Sequence, residues 1–494
     1  MAERPLLLAI DQGTASTRSL VFEISGNLVA SAQREHGQIY PRPGWVEHDP
    51  VEIWRNVLQT AREAMAQAGG EIAAIGITNQ RETTLVWDRA TGEPVYNAIV
   101  WQDRRTAALC ERLREAGAGE LVRARTGLLI DPYFSATKLT WILDNVAGAG
   151  AQALRGELAF GTIDSFLLWN LTKGAVHATD AANASRTMLF NIHRHCWDED
   201  LLELFNIPAS LLPEVRDNSF EYGASAPGLF EKQMLVAGMA GDQQAALVGQ
   251  ACFEPGMAKA TYGTGCFILL NTGPEPSAPA KGILTTIGYR ADGVCAYASE
   301  GSIFAAGAVM KWLRDGLRIL EDVPRSGAIA ASLSGNEGVY LVPAFAGLGA
   351  PHWDPQARGL ICGLTLGSRP AHFIRAALES AAYQTLDLVE SMAGGNALCS
   401  LRIDGGMAAN DWFCQFLADI LSLPVERPAM LEATAQGAAF LAGLTVGLFR
   451  DLDAIAAAWT AGARFEPRMG EDDRAHLIAG WRDAVARVLR QQMR

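Results

Sequence analysis

Residues 6–26 read LLLAIDQGTASTRSLVFEISG. An apolar run closes on Asp11, a turn carries Gly13, and β-branched and apolar residues resume after it. That is a strand, a tight turn and a return strand. Residues 257–273, MAKATYGTGCFILLNTG, repeat the pattern: Gly263-Thr264-Gly265 forms the turn and Phe267 to Leu270 the return strand. Two Gly-Thr hairpins, each opening one half of the chain, predict a duplicated fold. Between and after them strands and helices alternate. AAIGITNQ (73–80) and TTLVWD (83–88) read as strands, the second followed by a turn at Thr91-Gly92. KLTWILDNV (138–146) has helical spacing at Leu139, Ile142, Leu143 and Val146. LRIDGGMAANDWFCQFLADIL (401–421) reads as a strand, a Gly405-Gly406 turn and a helix capped near Asn410 or Asp411. Trp412, Phe413, Phe416, Leu417, Ile420 and Leu421 would form its apolar stripe. A closing helix is expected from about Asp473 to Met493. This alternation predicts an α/β protein with a boundary near residue 250, giving domains 1–250 and 251–494.

The chain has 494 residues, 49% hydrophobic and 19% charged, with a formal net charge of -13. That balance argues against a nucleic-acid or anionic-membrane partner, which would call for a basic face. An anionic small molecule remains compatible, because backbone N–H groups in Gly turns can hold phosphate without net positive charge. The eight cysteines are scattered, with no C-x-x-C pair, and read as reduced core thiols. The apolar run in MAERPLLLAID is too short for a signal peptide. GAAFLAGLTVGLF (437–449) is too short to span a bilayer and reads as a buried helix. A cytoplasmic enzyme is the expectation.

The chemistry concentrates in a few stretches. A Gly-Thr turn at a strand end offers backbone N–H groups and a hydroxyl to phosphate oxygens. Asp11 beside the first turn is placed to face Mg²⁺ through water, and Arg18 on the return strand is placed to reach the same phosphates. The plain alternative is an ordinary hairpin with a turn aspartate. In ITNQRETTLVW, Arg81 and Glu82 are neighbours, so both meet one ligand only if the backbone turns there. Such a mixed pair suits a polyol, whose hydroxyls both donate and accept; the alternative is a solvated loop pair. Trp101, Tyr133 and Phe267 are candidate walls for a small polyol, or simply core. MAGDQQAALVG (239–249) sets Asp242, Gln243 and Gln244 in an apolar run. An unpaired buried charge is costly. Phosphoryl transfer to a small alcohol needs a carboxylate in hydrogen-bond reach of the attacking hydroxyl and a site that excludes water; the alternative is a helix N-cap. His193, His195 and Cys196 in HRHCW match no tetrahedral metal spacing.

Taken together, DQGTASTRS, PGWVEHDP, GITNQRETTLVW, NAIVWQDRRT, TGLLIDPYFSATKLTWILD, NASRTMLFNI, AGDQQAALVGQ, KATYGTGCF, VPAFAGLGAPHWDPQARG and DGGMAAN resemble the glycerol kinases of the FGGY carbohydrate-kinase family. YFSATKLTWILDN and GLICGLTLGSRPAHFIRAALE match the two stretches by which that wider family is recognised. The resemblance runs through nearly the whole chain. It implies two RNase-H-like domains of the actin-like ATPase type around a deep interdomain cleft. It also implies ATP- and Mg²⁺-dependent phosphorylation of glycerol to sn-glycerol 3-phosphate, and a homodimer or homotetramer. At the matching positions, Arg81, Glu82, Tyr133, Asp242 and Gln243 would meet the glycerol hydroxyls, Trp101 and Phe267 its carbon face, and Asp242 would be the general base. Thr14, Ala15, Ser16 and Arg18 match the first phosphate loop and Thr264 the second. Gly307, Lys311, Gly406 and Asn410 match positions around the nucleotide, and Asp11 the Mg²⁺-associated carboxylate. Three departures stand out. Ala15 replaces a hydroxyl residue, so only its backbone serves a phosphate. Lys311 stands where some relatives carry Gln. APGLFEKQMLVAG (226–238) lacks the Gly-Gly-x-Gly-Gly-Thr-Arg loop that binds fructose 1,6-bisphosphate in some bacterial members. A longer polyol or ketose on the same fold, and an ATP-driven clamp, are the competing readings.

Overall fold

A computed structural model of the chain describes residues 5–277, 282–345, 347–354, 356–392 and 398–490. Its frame is two mixed, open sheets. The first, of six strands, contains β1 (Leu6–Gln12), β2 (Ser16–Glu23), β3 (Leu28–Glu35), β4 (Ile72–Asn79), β5 (Ser219–Ala224) and β6 (Leu235–Gly241). They lie side by side in the order β3, β2, β1, β4, β6, β5. The second, of seven strands, contains β7 (Met257–Tyr262), β8 (Cys266–Gly273), β9 (Leu284–Ala291), β10 (Val294–Ile303), β11 (Ser400–Asp404), β12 (Val425–Pro428) and β13 (Ala461–Phe465). Their order is β9, β10, β8, β7, β11, β12, β13.

The duplication suggested by the two hairpins is present in the topology. In each sheet the opening hairpin and a third strand pair antiparallel: β1, β2 and β3 in the first, β7, β8 and β10 in the second. Two parallel neighbours follow, β4 and β6 in the first sheet, β11 and β12 in the second. Each sheet then ends on an antiparallel strand, β5 or β13. β9 is an added edge strand on the second sheet.

Register decides where the chemistry falls. Gln12 pairs with Asn79, and Asn79 with Gly241, so β1, β4 and β6 end at one level. The turns that leave those ends carry Gly13-Thr14, Arg81-Glu82 and Asp242. In the second sheet Thr261 pairs with Asp404, which puts the Gly263–Gly265 turn beside Gly405. Crevices beyond the carboxyl ends of strands are where α/β folds hold ligands.

The helices cover and join the sheets. α1 (Pro50–Ala68) is started by Asp49, which accepts from Val51 N at 2.9 Å, and stopped by left-handed Gly69. α2 (Ser135–Asn145) carries the predicted KLTWILDNV stretch, and α3 (Asp242–Gly249) follows β6 directly. α4 (Pro370–Met392) and α5 (Asp411–Leu421) pack on the second sheet, α5 capped by Asn410 through Phe413 N at 3.2 Å. α6 (Ala433–Thr445) is the predicted buried helix, and α7 (Glu471–Arg490) the closing one; the expected extension of α7 to Met493 lies outside the described residues. Among the described residues no helix is long and apolar enough to cross a membrane.

α6 comes late in the chain yet lies against the first sheet. Its residues Ala438 and Leu441 share a core with Leu7, Ala9 and Phe22 of that sheet and with Leu269 and Ala298 of the second. Small residues allow this. A Cβ on Gly76 of β4 would stand 2.1 Å from Ala438 O, one on Gly249 1.9 Å from Ala433 O, and one on Gly437 1.9 Å from Ala245 O. Thus α3 and α6 cross with their backbones touching. Gly437→Ala should cost about 1–3 kcal/mol or more, the range for overpacking, because the atom it meets is backbone and cannot swing aside. Urea unfolding checks this, and an unchanged midpoint would contradict the crossing.

Candidate functional site

The expected polyol residues converge. Asp242 is the first residue of α3, with Gly241 at the cap position and no side-chain cap hydrogen bond. Its Oδ1 accepts from the Gln243 backbone N at 2.7 Å and lies 3.3 Å from Arg81 Nε. The N-cap alternative therefore does not describe it. One third of the Asp242 side chain is exposed. Burial raises its carboxyl above the ordinary range, against the opposing pull of Arg81 and Lys259, and Asp11 adds to the rise.

The turn required between Arg81 and Glu82 is present. β4 stops at Asn79, and Glu82 takes φ 59°, a left-handed conformation rare for a glutamate. Both side chains then enter one buried cluster. Arg81 donates to both oxygens of Glu300, at 2.5 and 3.0 Å, and to Tyr133 Oη and Gln244 Oε1 at 3.3 Å. Arg186 donates to Glu82 Oε1 and to Glu300 Oε1, each at 2.8 Å. Two arginines and two glutamates form a neutral quartet with every side chain at most 2% exposed. Burial acts to raise the Glu300 carboxyl, but the Arg186 and Arg81 guanidinium groups hold it down at about 2. Burial raises Glu82 despite Arg81 and Arg186.

The aromatic wall stands over this floor. Trp101 meets Tyr133 edge-on at 5.6 Å and Phe267 at 6.5 Å, and Arg81 lies 5.9 Å from the Phe267 ring centre. Lys138, wholly buried on α2, donates to the carbonyls of Pro132, Tyr133 and Phe134 at 3.0, 2.6 and 2.9 Å and so pins the turn that presents Tyr133. Burial lowers this ammonium to about 8.

The first Gly-Thr turn adjoins the wall. Trp101 Nε1 donates to Thr14 Oγ1 at 2.9 Å, leaving the Thr14 proton available to an acceptor. Gln38 Nε2 donates to Thr14 O at 2.8 Å, and Gln80 Nε2 to Gly13 O at 3.2 Å. Ser16 Oγ accepts from Gln33 at 3.1 Å, and Ala15 is exposed. Arg18 does not stand free. It holds Asp11, its cross-strand partner, and reaches Glu432 at 2.6 Å. Burial raises the Asp11 carboxyl, with Arg18 opposing.

The second turn is built against two others. Ala306 N and Ala308 N donate to Thr264 O at 3.0 and 2.9 Å, and Gly307 N to Gly263 O at 3.1 Å. A Cβ on Gly307 would stand 2.5 Å from Gly263 O, and one on Gly405 2.4 Å from Tyr262 O. Thr264, Gly307 and the Gly405-Gly406 turn are thus neighbours. Asn410 leaves that turn and donates to Ser326 Oγ at 3.2 Å. Lys311 is exposed at the end of the short helix Gly307–Lys311.

Sequence reasoning did not single out Arg186, Glu300, Lys259 or Lys138. Each is a lone charge in an otherwise uncharged stretch, the same signal that marks Asp242. The HRHCW side chains have other tasks: His193 bonds Ala124 O at 3.0 Å and His195 the Tyr297 hydroxyl at 2.9 Å.

Residues 6–249 match the FGGY family of carbohydrate kinases, N-terminal domain, and residues 258–446 its C-terminal domain. A glycerol kinase of Rhodospirillum centenum is 56% identical over 99% of both chains, and one of Ectopseudomonas mendocina 59% identical over 98% of both. The crystal structure of Plasmodium falciparum glycerol kinase with ADP superposes with a TM-score of 0.94 at 37% identity, over 98% of each chain. The two-domain α/β architecture expected from the sequence is therefore the one present, and the chain belongs to the FGGY family of carbohydrate kinases.

Proposed function

We propose that the chain transfers the γ-phosphoryl group of ATP to a terminal hydroxyl of glycerol, giving sn-glycerol 3-phosphate and ADP. The observation that carries this reading is the placement of Asp242: an ionisable carboxylate, one third exposed, beside the Arg81 guanidinium, which itself lies 5.9 Å from the Phe267 ring of the aromatic wall. On this reading Asp242 takes the proton of the attacking hydroxyl. Among the described residues Arg81 Nε is the donor of that guanidinium left without a well-aligned hydrogen bond, and on this reading it meets a glycerol oxygen. Glu82, Tyr133 and Gln243 meet the remaining hydroxyls, and Trp101 and Phe267 cover the carbon face and exclude water. The N-terminal domain, 1–250, holds the polyol, and the C-terminal domain, 251–494, the nucleotide.

Thr14, the Ala15 backbone, Ser16 and Arg18 serve one set of phosphate oxygens and Thr264 the other, while Gly307, Lys311, Gly406 and Asn410 surround the rest of the nucleotide. Asp11 suits Mg²⁺. Its Oδ2 is taken by Arg18, while its Oδ1 accepts no hydrogen bond among the described residues. One open carboxylate oxygen matches an ion that keeps most of its waters. When bound, the ion neutralises phosphate charge as it develops. On the same reading the enzyme works in the cytoplasm as a homodimer or homotetramer, as the family resemblance implies.

A coupled assay of ADP release tests the reading. Turnover with glycerol that stops without it is expected, with kcat/KM for erythritol and xylulose well below that for glycerol because the wall limits pocket size. No turnover above a glycerol-free control would refute it; preference for xylulose would favour the longer-substrate alternative.

A further inference from the structure

Gln243 and Lys259 meet behind the candidate base. Lys259 lies on β7 and is wholly buried. Its ammonium donates to Gln243 Oε1 and, at 3.1 Å, to Thr261 Oγ1. Thr261 is in turn hydrogen-bonded to Asp404, which also accepts from Gln250 Nε2 at 2.9 Å. Burial lowers the Lys259 ammonium, while the carboxylates of Asp404 and Asp242 favour its charged form.

An ammonium carries three donors and no acceptor, whereas a carboxamide carries an acceptor at one end and donors at the other. Facing Lys259, Gln243 can present only its oxygen. Its nitrogen must then point the opposite way, and among the described residues Nε2 makes no hydrogen bond. The backbone N of the same residue donates to Asp242, so the Gln243 side chain branches from the main chain next to the candidate base.

We propose that Lys259 is a positioning residue that locks the Gln243 carboxamide nitrogen-first towards the alcohol, making Gln243 a donor-only contact. The proposal rests on the glycerol reading for its substrate, but the orientation is a property of the protein alone. A substrate oxygen must offer Gln243 a lone pair, and its proton is thereby directed to the acceptors on the other side, Asp242 and Glu82. Lys259 thus sets the polarity of the hydrogen-bond circuit without touching the substrate.

Two measurements test it. A neutron crystal structure of the full-length wild-type protein should place both deuterons of the Gln243 carboxamide on the side away from Lys259; deuterons facing Lys259 overturn the proposal whatever the substrate. Kinetics on the pH-independent plateau should rank Gln243→Glu, an acceptor-only contact, below Gln243→Met, which makes none, with kcat/KM for glycerol down at least tenfold between them. The reverse order overturns the proposal. Lys259→Met, where it folds, should raise the glycerol KM at least tenfold and change kcat less than threefold, and an unchanged KM in a folded variant likewise overturns it. Absent turnover by the wild-type protein refutes the glycerol reading instead, and the neutron result still decides the orientation.

Discussion

Asp242→Asn should lower kcat by about 10²–10⁴, the span for removing a general base, while leaving the fold and ATP binding intact. The side chain packs no core. It opens α3 without capping it, accepts from the next backbone N and lies 3.3 Å from Arg81 Nε, so an isosteric amide leaves the helix start in place. What is lost is a group that can accept the hydroxyl proton. Circular dichroism and calorimetric titration with ATP should match the wild type, and rapid-quench measurement of the chemical step should carry the whole defect. A variant that keeps more than a tenth of the wild-type rate removes Asp242 from this role. The pH profile gives a second check. The base works only when ionised, so activity falls as pH drops through its folded pKa. Burial has raised that pKa above the ordinary 3.8, so the acid limb should lie above the usual aspartate range and should vanish in Asp242→Asn.

Glu300→Gln should destabilise the protein by about 3–5 kcal/mol, the cost of removing one partner from a buried charge network. The quartet is neutral as a set, and the amide leaves Arg81 and Arg186 with less negative charge to balance them where there is little water, Asp242 lying 3.3 Å from Arg81 Nε. The pH dependence gives the sign independently. Glu300 is held at about 2 against an ordinary 4.5, so its ionised form favours the folded state. That stability is complete above about pH 4.5 and is lost as pH falls towards 2. Urea midpoints between pH 6 and pH 3 should drop more steeply for the wild type than for Glu300→Gln. Equal slopes, or a loss under 1 kcal/mol at pH 7, would mean that the quartet contributes little. Arg186→Met should destabilise by a comparable amount from the opposite sign.

Much of this was legible in the chain. Alternating strands and helices, the two Gly-Thr turns and the apolar stripe from Trp412 to Leu421 carry periodicity and turn chemistry, which act locally. Asp242 was legible because an acid in an Ala/Gly run is costly and must have a use. The N-cap alternative could not be dismissed beforehand, since it turns on whether Gly241 or Asp242 occupies the cap. The pairings of Arg81 with Glu300, and of Lys259 with Gln243, were not legible. They join residues 219 and 16 positions apart, and no local rule says which buried charge meets which. The signal was nevertheless there. Lone charges of both signs, Arg186, Lys259 and Glu300, interrupt apolar or small-residue runs just as Asp242 does. Buried charges come in compensating sets, so one such residue is a reason to look for its opposite. The packing of α6 on the first sheet was hidden for a different reason. Its small residues announce burial but not the partner.

The quartet is also divided between the two parts of the chain. Arg81, Glu82 and Arg186 precede residue 250, and Glu300 follows it. Prised apart there, one side would keep an excess cation and the other an orphaned anion, each in a poorly polarisable surrounding. Separating the two sheets at this point would therefore break the pairing of Glu300 with both guanidinium groups.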